Sequence, residues 1–184
     1  MFIMTMLSFR SPKLTTRTLS LTAFLIALNV ILGKLAVGSA SLVKFSFGFI
    51  GTMLLGYFLG PWLGGVAKIL YDLIANTILA TGTQFFIGFT LTAFLSGVIA
   101  GLFLHNQKIT WQRLAIYEVI QMLVTNIFFN TLWIHLLYQA PWAALLAVRI
   151  PKSLLTLPLE VILGLMILKS VARLNLSISN QNKY

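Results

Sequence analysis

The sequence predicts an all-α polytopic membrane protein: a single bundle of six transmembrane helices with its N- and C-termini cytoplasmic. Three observations predict it. Of 184 residues 59% are hydrophobic and 9% charged, and mean hydropathy is +0.95, whereas a soluble domain is about 25% charged. Apolar runs recur at about 18–37, 45–60, 62–80, 85–104, 114–138 and 150–172, near the ~20 residues a spanning helix needs. They are too long and too uniformly apolar for barrel strands. Third, 12 of the 13 basic residues, all but the intramembrane Lys68, are unevenly divided between the two sides. Arg10, Lys13, Arg17, Lys108, Arg113, Lys169, Arg173 and Lys183 fall on one side, against Lys34, Lys44, Arg149 and Lys152 on the other. The richer side is cytoplasmic. The expected domains are a basic N-terminus at 1–17, a membrane domain at 18–172 and a polar tail at 173–184.

The formal net charge of +10 would suggest nucleic acid in a soluble protein. Here the charges lie at helix ends and tails, so they answer to the positive-inside rule and to anionic headgroups. The N-terminal Arg10, Lys13 and Arg17 precede an apolar run that is long and lacks a small-residue cleavage site, which predicts a retained span rather than a signal peptide. In that first run Ala23 and Ala27 stand one turn apart, with Ser20 on the same face. Small residues at this spacing let two backbones approach closely in lipid. Internal packing and a docking face for another membrane subunit both fit.

A polar stretch at 38–44 follows, and Gly60-Pro61 turns the short second run tightly into Trp62. The third run carries Lys68 and, four positions on, Asp72, about 15 Å deep. Intramembrane ionisable residues are costly and mark a function or a pair, and these two could neutralise each other on one face. Thr81-Gly82-Thr83 ends that run. The fourth run repeats the small-residue spacing at Ala93, Gly97 and Gly101, as Gly56 and Gly60 do in the second, which fits packing inside the bundle.

After the loop His105–Arg113, the fifth run brings Glu118 near Arg113, a pairing that fits an interfacial salt bridge. Further along it, Asn126, Asn130 and Trp133 fall at i, i+4 and i+7, one stripe of two amides and an indole. Asn is costly in hydrocarbon unless satisfied, so the stripe faces inward. An interhelical clamp and a planar ligand stacked on Trp133 both account for it. The sixth run, after a break at 139–148, begins with Arg149 and Lys152 one turn apart and carries Glu160 midway. The cations could snorkel to headgroups or converge on a carboxylate.

Enzyme chemistry finds no foothold. No cysteine is present, and His105 and His135 lie far apart in sequence, so thiolate sites are excluded and a metal site is not expected. HExxH, GxSxG and P-loop patterns are missing. The chain is not expected to hydrolyse ATP or to hold a cofactor, so active transport would draw its energy from a partner.

Short helices, a basic N-terminus, Ala23-x-x-x-Ala27 and a wide first outer loop resemble the S component of an energy-coupling factor (ECF) vitamin transporter. Asn130-Thr131-Leu132-Trp133, then Arg149-x-x-Lys152 and Pro158-x-Glu160, are similar to the folate-type S components (FolT). The resemblance covers nearly the whole chain. It implies a bacterial plasma-membrane protein that captures folate outside for ATP-driven uptake, with a transmembrane T subunit and two cytoplasmic ATPases as partners. It also implies that Ala23 and Ala27 meet the T subunit, and that the pocket occupies the outer half.

The residue chemistry agrees. Folate joins a flat amide-rich ring, an aromatic spacer and a tail with two carboxylates, and a pocket for it wants stacking surfaces, Asn or Asp for ring nitrogens and cations for the tail. Asn126, Asn130, Trp133 and Asp72 can serve the ring; Lys34, Lys44, Arg149 and Lys152 can serve the tail. Pantothenate or riboflavin as the vitamin, or a membrane scaffold without a solute, are the competing expectations.

Overall fold

The computed structural model describes residues 7–37, 45–79 and 85–173. The expected breaks at 38–44 and 81–83, together with Lys44, Lys183 and the polar tail, lie outside the described residues. Among the described residues, five helical stretches are long and apolar enough to cross a membrane: Thr16–Lys34, Gly48–Ile78, Ile87–Leu104, Trp111–Tyr138 and Trp142–Arg173.

Helix α1 (Thr16–Lys34) starts on Thr15, whose hydroxyl accepts the Thr18 N–H at 3.2 Å, satisfying one of the donors a helix start leaves free. Beyond it, strands β1 (Ala36–Val37) and β2 (Phe45–Ser46) form a short antiparallel pair. Helix α2 (Gly48–Leu73) is not straight. Gly60 has φ +70° and ψ −172°, a conformation open essentially to glycine alone, and the chain reverses there. Lys68 consequently reaches Thr52, its Nζ donating to Oγ1 at 3.0 Å, across sixteen positions that a straight helix would hold about 24 Å apart. Pro61 opens the second limb, where its missing N–H costs nothing. Ser11 Oγ accepts the N–H groups of Trp62 and Leu63, so a residue ahead of α1 caps this internal helix start. The turn that Gly60-Pro61 predicts is therefore present.

The second limb of α2 runs on as a π-helical turn, Ile74–Ile78. Helix α3 (Ile87–Leu104) lies against both limbs. A Cβ on Gly101 would strike the backbone of Gly60 and Pro61, one on Gly97 the backbone of Gly64, and one on Gly56 the backbone of Ala100. The glycine spacing of these segments thus serves packing inside the bundle. Ala23, Ala27 and Ser20 are exposed on the outside of α1.

Helix α4 (Trp111–Gln121) passes through a π-helical stretch, Met122–Phe129, into α5 (Asn130–Tyr138). Helix α6 (Trp142–Arg173) begins eight positions before the expected 150 and runs through Pro151 and Pro158. The run Ala143, Ala144, Leu145, Leu146, Ala147 explains the early start, because Ala and Leu are the strongest helix formers. Arg149 therefore stands about 10 Å inside the helix rather than at its first turn.

The apolar core joins Leu25 and Ile26 of α1, Met53, Leu55, Phe58 and Leu59 of α2, Leu104, Leu114, Tyr117 and Leu168. Most of these cluster toward the end of the bundle marked by the Gly60 turn. The opposite end is hollow.

Candidate functional site

A cavity of about 520 Å³ lies between the second limb of α2, α3, and the continuous α4–π–α5 stretch, within the range of small-molecule pockets. The second limb contributes Lys68, Asp72 and Asn76 at four-residue steps; α3 contributes Phe86, Phe89, Thr92 and Ser96. The facing wall runs from Glu118 and Gln121 through Asn126 and Asn130 to Ile134 and Tyr138. A second cavity, about 550 Å³, carries Arg149, Lys152, Ser153 and Thr156 of α6 with Ser46. Both cavities are bordered by Phe49, Asn126, Asn130 and Glu160. The pair therefore forms two chambers with an amide-lined waist, one rich in aromatic rings and the other holding two cations.

Each charged wall residue has an identifiable setting. Lys68 is buried, donates to Thr52, and its Nζ lies 3.9 Å from the centroid of the Tyr71 ring. Asp72 is buried too; its Oδ1 accepts Asn76 Nδ2 at 2.7 Å and its Oδ2 accepts Thr90 Oγ1 at 2.8 Å. Neutral partners thus replace the direct Lys68–Asp72 pair expected from their spacing. Glu118 is not an interfacial residue. It is 4% exposed and borders the first cavity, because α4 packs against α3 and α6 and turns this face inward. Arg149 donates from Nη1 to the Asn126 carbonyl at 2.8 Å, a carbonyl in the π-helical stretch. That bond ties α6 to the waist and leaves other guanidinium donors directed elsewhere. Lys152 is exposed on the second chamber's wall, beside the same space as Glu160.

Five of the expected site residues are thereby brought together: Asp72, Asn126, Asn130, Arg149 and Lys152. Asn130 Nδ2 lies 3.4 Å from Asn126 Oδ1. Trp133 corrects the expected stripe. Its Nε1 donates to Thr92 Oγ1 at 2.9 Å, and its ring packs on Gly88 and against Phe86 and Phe129. It stands behind the wall rather than in it. The π-helical stretch is the reason: its wider i→i+5 turn makes the four-residue series Asn126, Asn130, Ile134, Tyr138 share a face and rotates position 133 away. Lys34 is also not at either cavity. Its Nζ donates to the Leu79 carbonyl at 2.7 Å and to Ala75 at 3.4 Å, neutralising carbonyls that a helix end leaves free. Lys44 lies outside the described residues.

Sequence reasoning missed the aromatic lining Phe49, Phe85, Phe86 and Phe89 and the polar Thr92, Ser96 and Gln121. In uniformly apolar runs a Phe facing a cavity reads the same as one facing lipid. Among the described residues no group of three or more His, Cys, Asp or Glu could hold a metal ion.

Comparison with known proteins accounts for this architecture. Residues 17–168 match the family model of the ECF transporter substrate-specific component. A curated relative, the folate transporter FolT of Leuconostoc mesenteroides, is 36% identical over 157 residues, covering 82% of this chain and 83% of that protein. FolT of Clostridium novyi is 29% identical over 154 residues, 84% of this chain and 89% of that one. A crystal structure of FolT bound with folic acid superposes with TM-score 0.76 and 31% identity, covering 85% of this chain and 95% of its own. The S-component for biotin from an ECF-type ABC transporter shares the fold, with TM-score 0.62 and 19% identity over 88% and 95% of the two chains. The chain belongs to the substrate-specific components of ECF transporters.

Proposed function

We propose that the chain is the subunit that captures folate from outside the cell for ATP-driven uptake, with its ring in the aromatic chamber and its glutamate tail in the cationic one. The observation that carries this is the two-chamber cavity with Asn126 and Asn130 at the waist and Arg149 and Lys152 in one chamber only. A ligand flat and uncharged at one end and dianionic at the other fits that division. The folate names of the relatives and the folic acid bound to FolT support the same choice. Asp72, Asn126 and Asn130 then serve the ring. Arg149 and Lys152 serve the tail, Lys44 is its remaining candidate, Lys34 is set aside by its bonds to the Leu79 and Ala75 carbonyls, and Trp133 acts from behind Phe86.

In this reading the two limbs of α2 count as separate spans. With them the bundle has six, both termini are cytoplasmic, and residues 18–172 form the membrane domain in a bacterial plasma membrane. The chambers open outward. A transmembrane T subunit and two cytoplasmic ATPases supply the energy, and the T subunit docks on Ala23 and Ala27. The exposure of that face, where Leu19, Phe24 and Ile31 also stand bare, supports docking over internal packing.

A near-ultraviolet spectrum of the freshly purified chain tests the proposal. A pterin chromophore that co-purifies and is released on denaturation is expected. A different vitamin's spectrum in its place would contradict it.

A further inference from the structure

On its Gly60 side the first chamber ends in charges that no motif announces. Lys68 stands eight positions after Gly60 and Glu118 seven after Trp111, which puts both roughly 10–12 Å from that end. Both border the cavity and both are buried, 6% and 4% exposed. Their hydrogen bonding is incomplete. Glu118 Oε1 has no partner, and the Lys68 ammonium, with three donors, donates to Thr52 and lies over the Tyr71 ring. Asp72, by contrast, has each oxygen engaged, by Asn76 and Thr90. Glu160 borders both chambers and shares the second with Lys152. Of the three carboxylates around the cavity, Glu118 is the one with a buried oxygen awaiting a donor. A buried acceptor left without a donor is unfavourable, so a ligand that supplies one gains from both the bond and the relief.

Resting on the folate reading, we propose that Glu118 and Lys68 determine specificity for the ring end of the ligand. Glu118 accepts adjacent N–H groups of a 2-amino-4-oxopyrimidine edge, and Lys68 donates to its 4-oxo oxygen. That edge presents an oxo acceptor, a ring N–H and an amino group in a row. A carboxylate takes two neighbouring N–H donors in parallel, and an ammonium complements the oxygen beside them. A site built to pair with such donors rejects an analogue lacking them, because its own polar groups are then stranded. These two residues therefore read the heterocycle, and the cations of α6 read the tail at the other end.

The test uses the purified full chain in detergent, titrated with folate, with 2-desaminofolate (hydrogen in place of the amino group) and with pteroate, which lacks the glutamate. The wild-type chain should bind folate about 10- to 100-fold more tightly than 2-desaminofolate, the range for a hydrogen bond to a charged group. Glu118→Gln should weaken folate by a similar factor and erase most of that discrimination. Its preference for folate over pteroate should stay at the wild-type ratio, which also reports that the variant is folded. Equal wild-type affinities for folate and 2-desaminofolate overturn the inference even if the variant does not fold. So does a Glu118→Gln chain that keeps full discrimination. Wild-type chain that binds no folate overturns the folate reading itself, a result distinct from folate binding that ignores the amino group.

Discussion

The two ends of the bundle are built on opposite plans. Toward the Gly60 turn, α2 and α3 meet backbone to backbone through Gly56, Gly97 and Gly101, and the apolar core fills the rest. Away from it, α4–α5 and α6 stand off from that pair and leave two chambers lined by polar and aromatic side chains. The contrast teaches how a small membrane protein keeps a pocket open. Glycine contacts make one rigid wall, and on the other the π-helical stretch Met122–Phe129 supplies the Asn126 carbonyl to Arg149 and a polar face that a regular helix would not.

The largest effect is expected from breaking the solid end. At Gly101 a valine side chain would meet backbone, which cannot yield as a side chain can. Overpacking costs about 1–3 kcal/mol and occasionally more, and Gly101→Val should reach the top of that range and remove the monodisperse peak in size-exclusion chromatography. Gly65→Ala, which would meet only the side chains of Phe94 and Val98, should be milder.

Next comes the outer face of α1. Ala23→Trp or Ala27→Trp should abolish ATP-driven folate uptake while folate binding by the solitary chain persists, because neither residue borders a chamber. Joint loss of binding and transport would place the face inside the fold, and intact transport would remove it from docking.

A smaller effect is expected in the hollow end. Arg149→Ala should weaken folate by about 1.5–3 kcal/mol, roughly ten- to a hundred-fold, and leave pteroate little changed. Equal weakening of both ligands would mean that Arg149 holds the waist through the Asn126 carbonyl and does not read the tail.

The smallest effect concerns the loop after α3. His105 Nδ1 donates to the Tyr57 carbonyl at 2.8 Å, and burial lowers its pKa below the ordinary 6.5. An unfolded chain therefore takes up the proton at higher pH than the folded one. The neutral ring's contribution is complete above pH 6.5 and is lost as pH falls through the lower folded value. Thermal midpoints measured from pH 8 to 5 should decline, and His105→Gln should flatten part of that slope.

Much of this division is legible in the sequence. Gly60-Pro61 announces the reversal, the glycine spacing announces the tight contact, and the isolated Asp72, Asn126, Asn130 and Arg149 announce polar walls. What is not legible depends on rotation about helix axes. The π-helical stretch at Met122–Phe129 turns Trp133 behind the wall, and nothing in MLVTNIFF marks it. The early start of α6 carries Arg149 about 10 Å inward, since the stretch 139–148, which reads as a break around Pro141, is already helix from Trp142. Glu118 beside Arg113 reads as an interfacial pair until the tertiary contacts of α4 show which way it faces. The phenylalanines of the ring chamber have no signature at all in a chain with 14 of them.

The central claim is that the hollow end binds folate, and calorimetric titration of the purified chain in detergent tests it most directly. Without ATP, metal or partner subunits, folate should give saturable heat at one ligand per chain, and pantothenate and riboflavin should give none. Clear heat with either of those vitamins and none with folate would contradict the account.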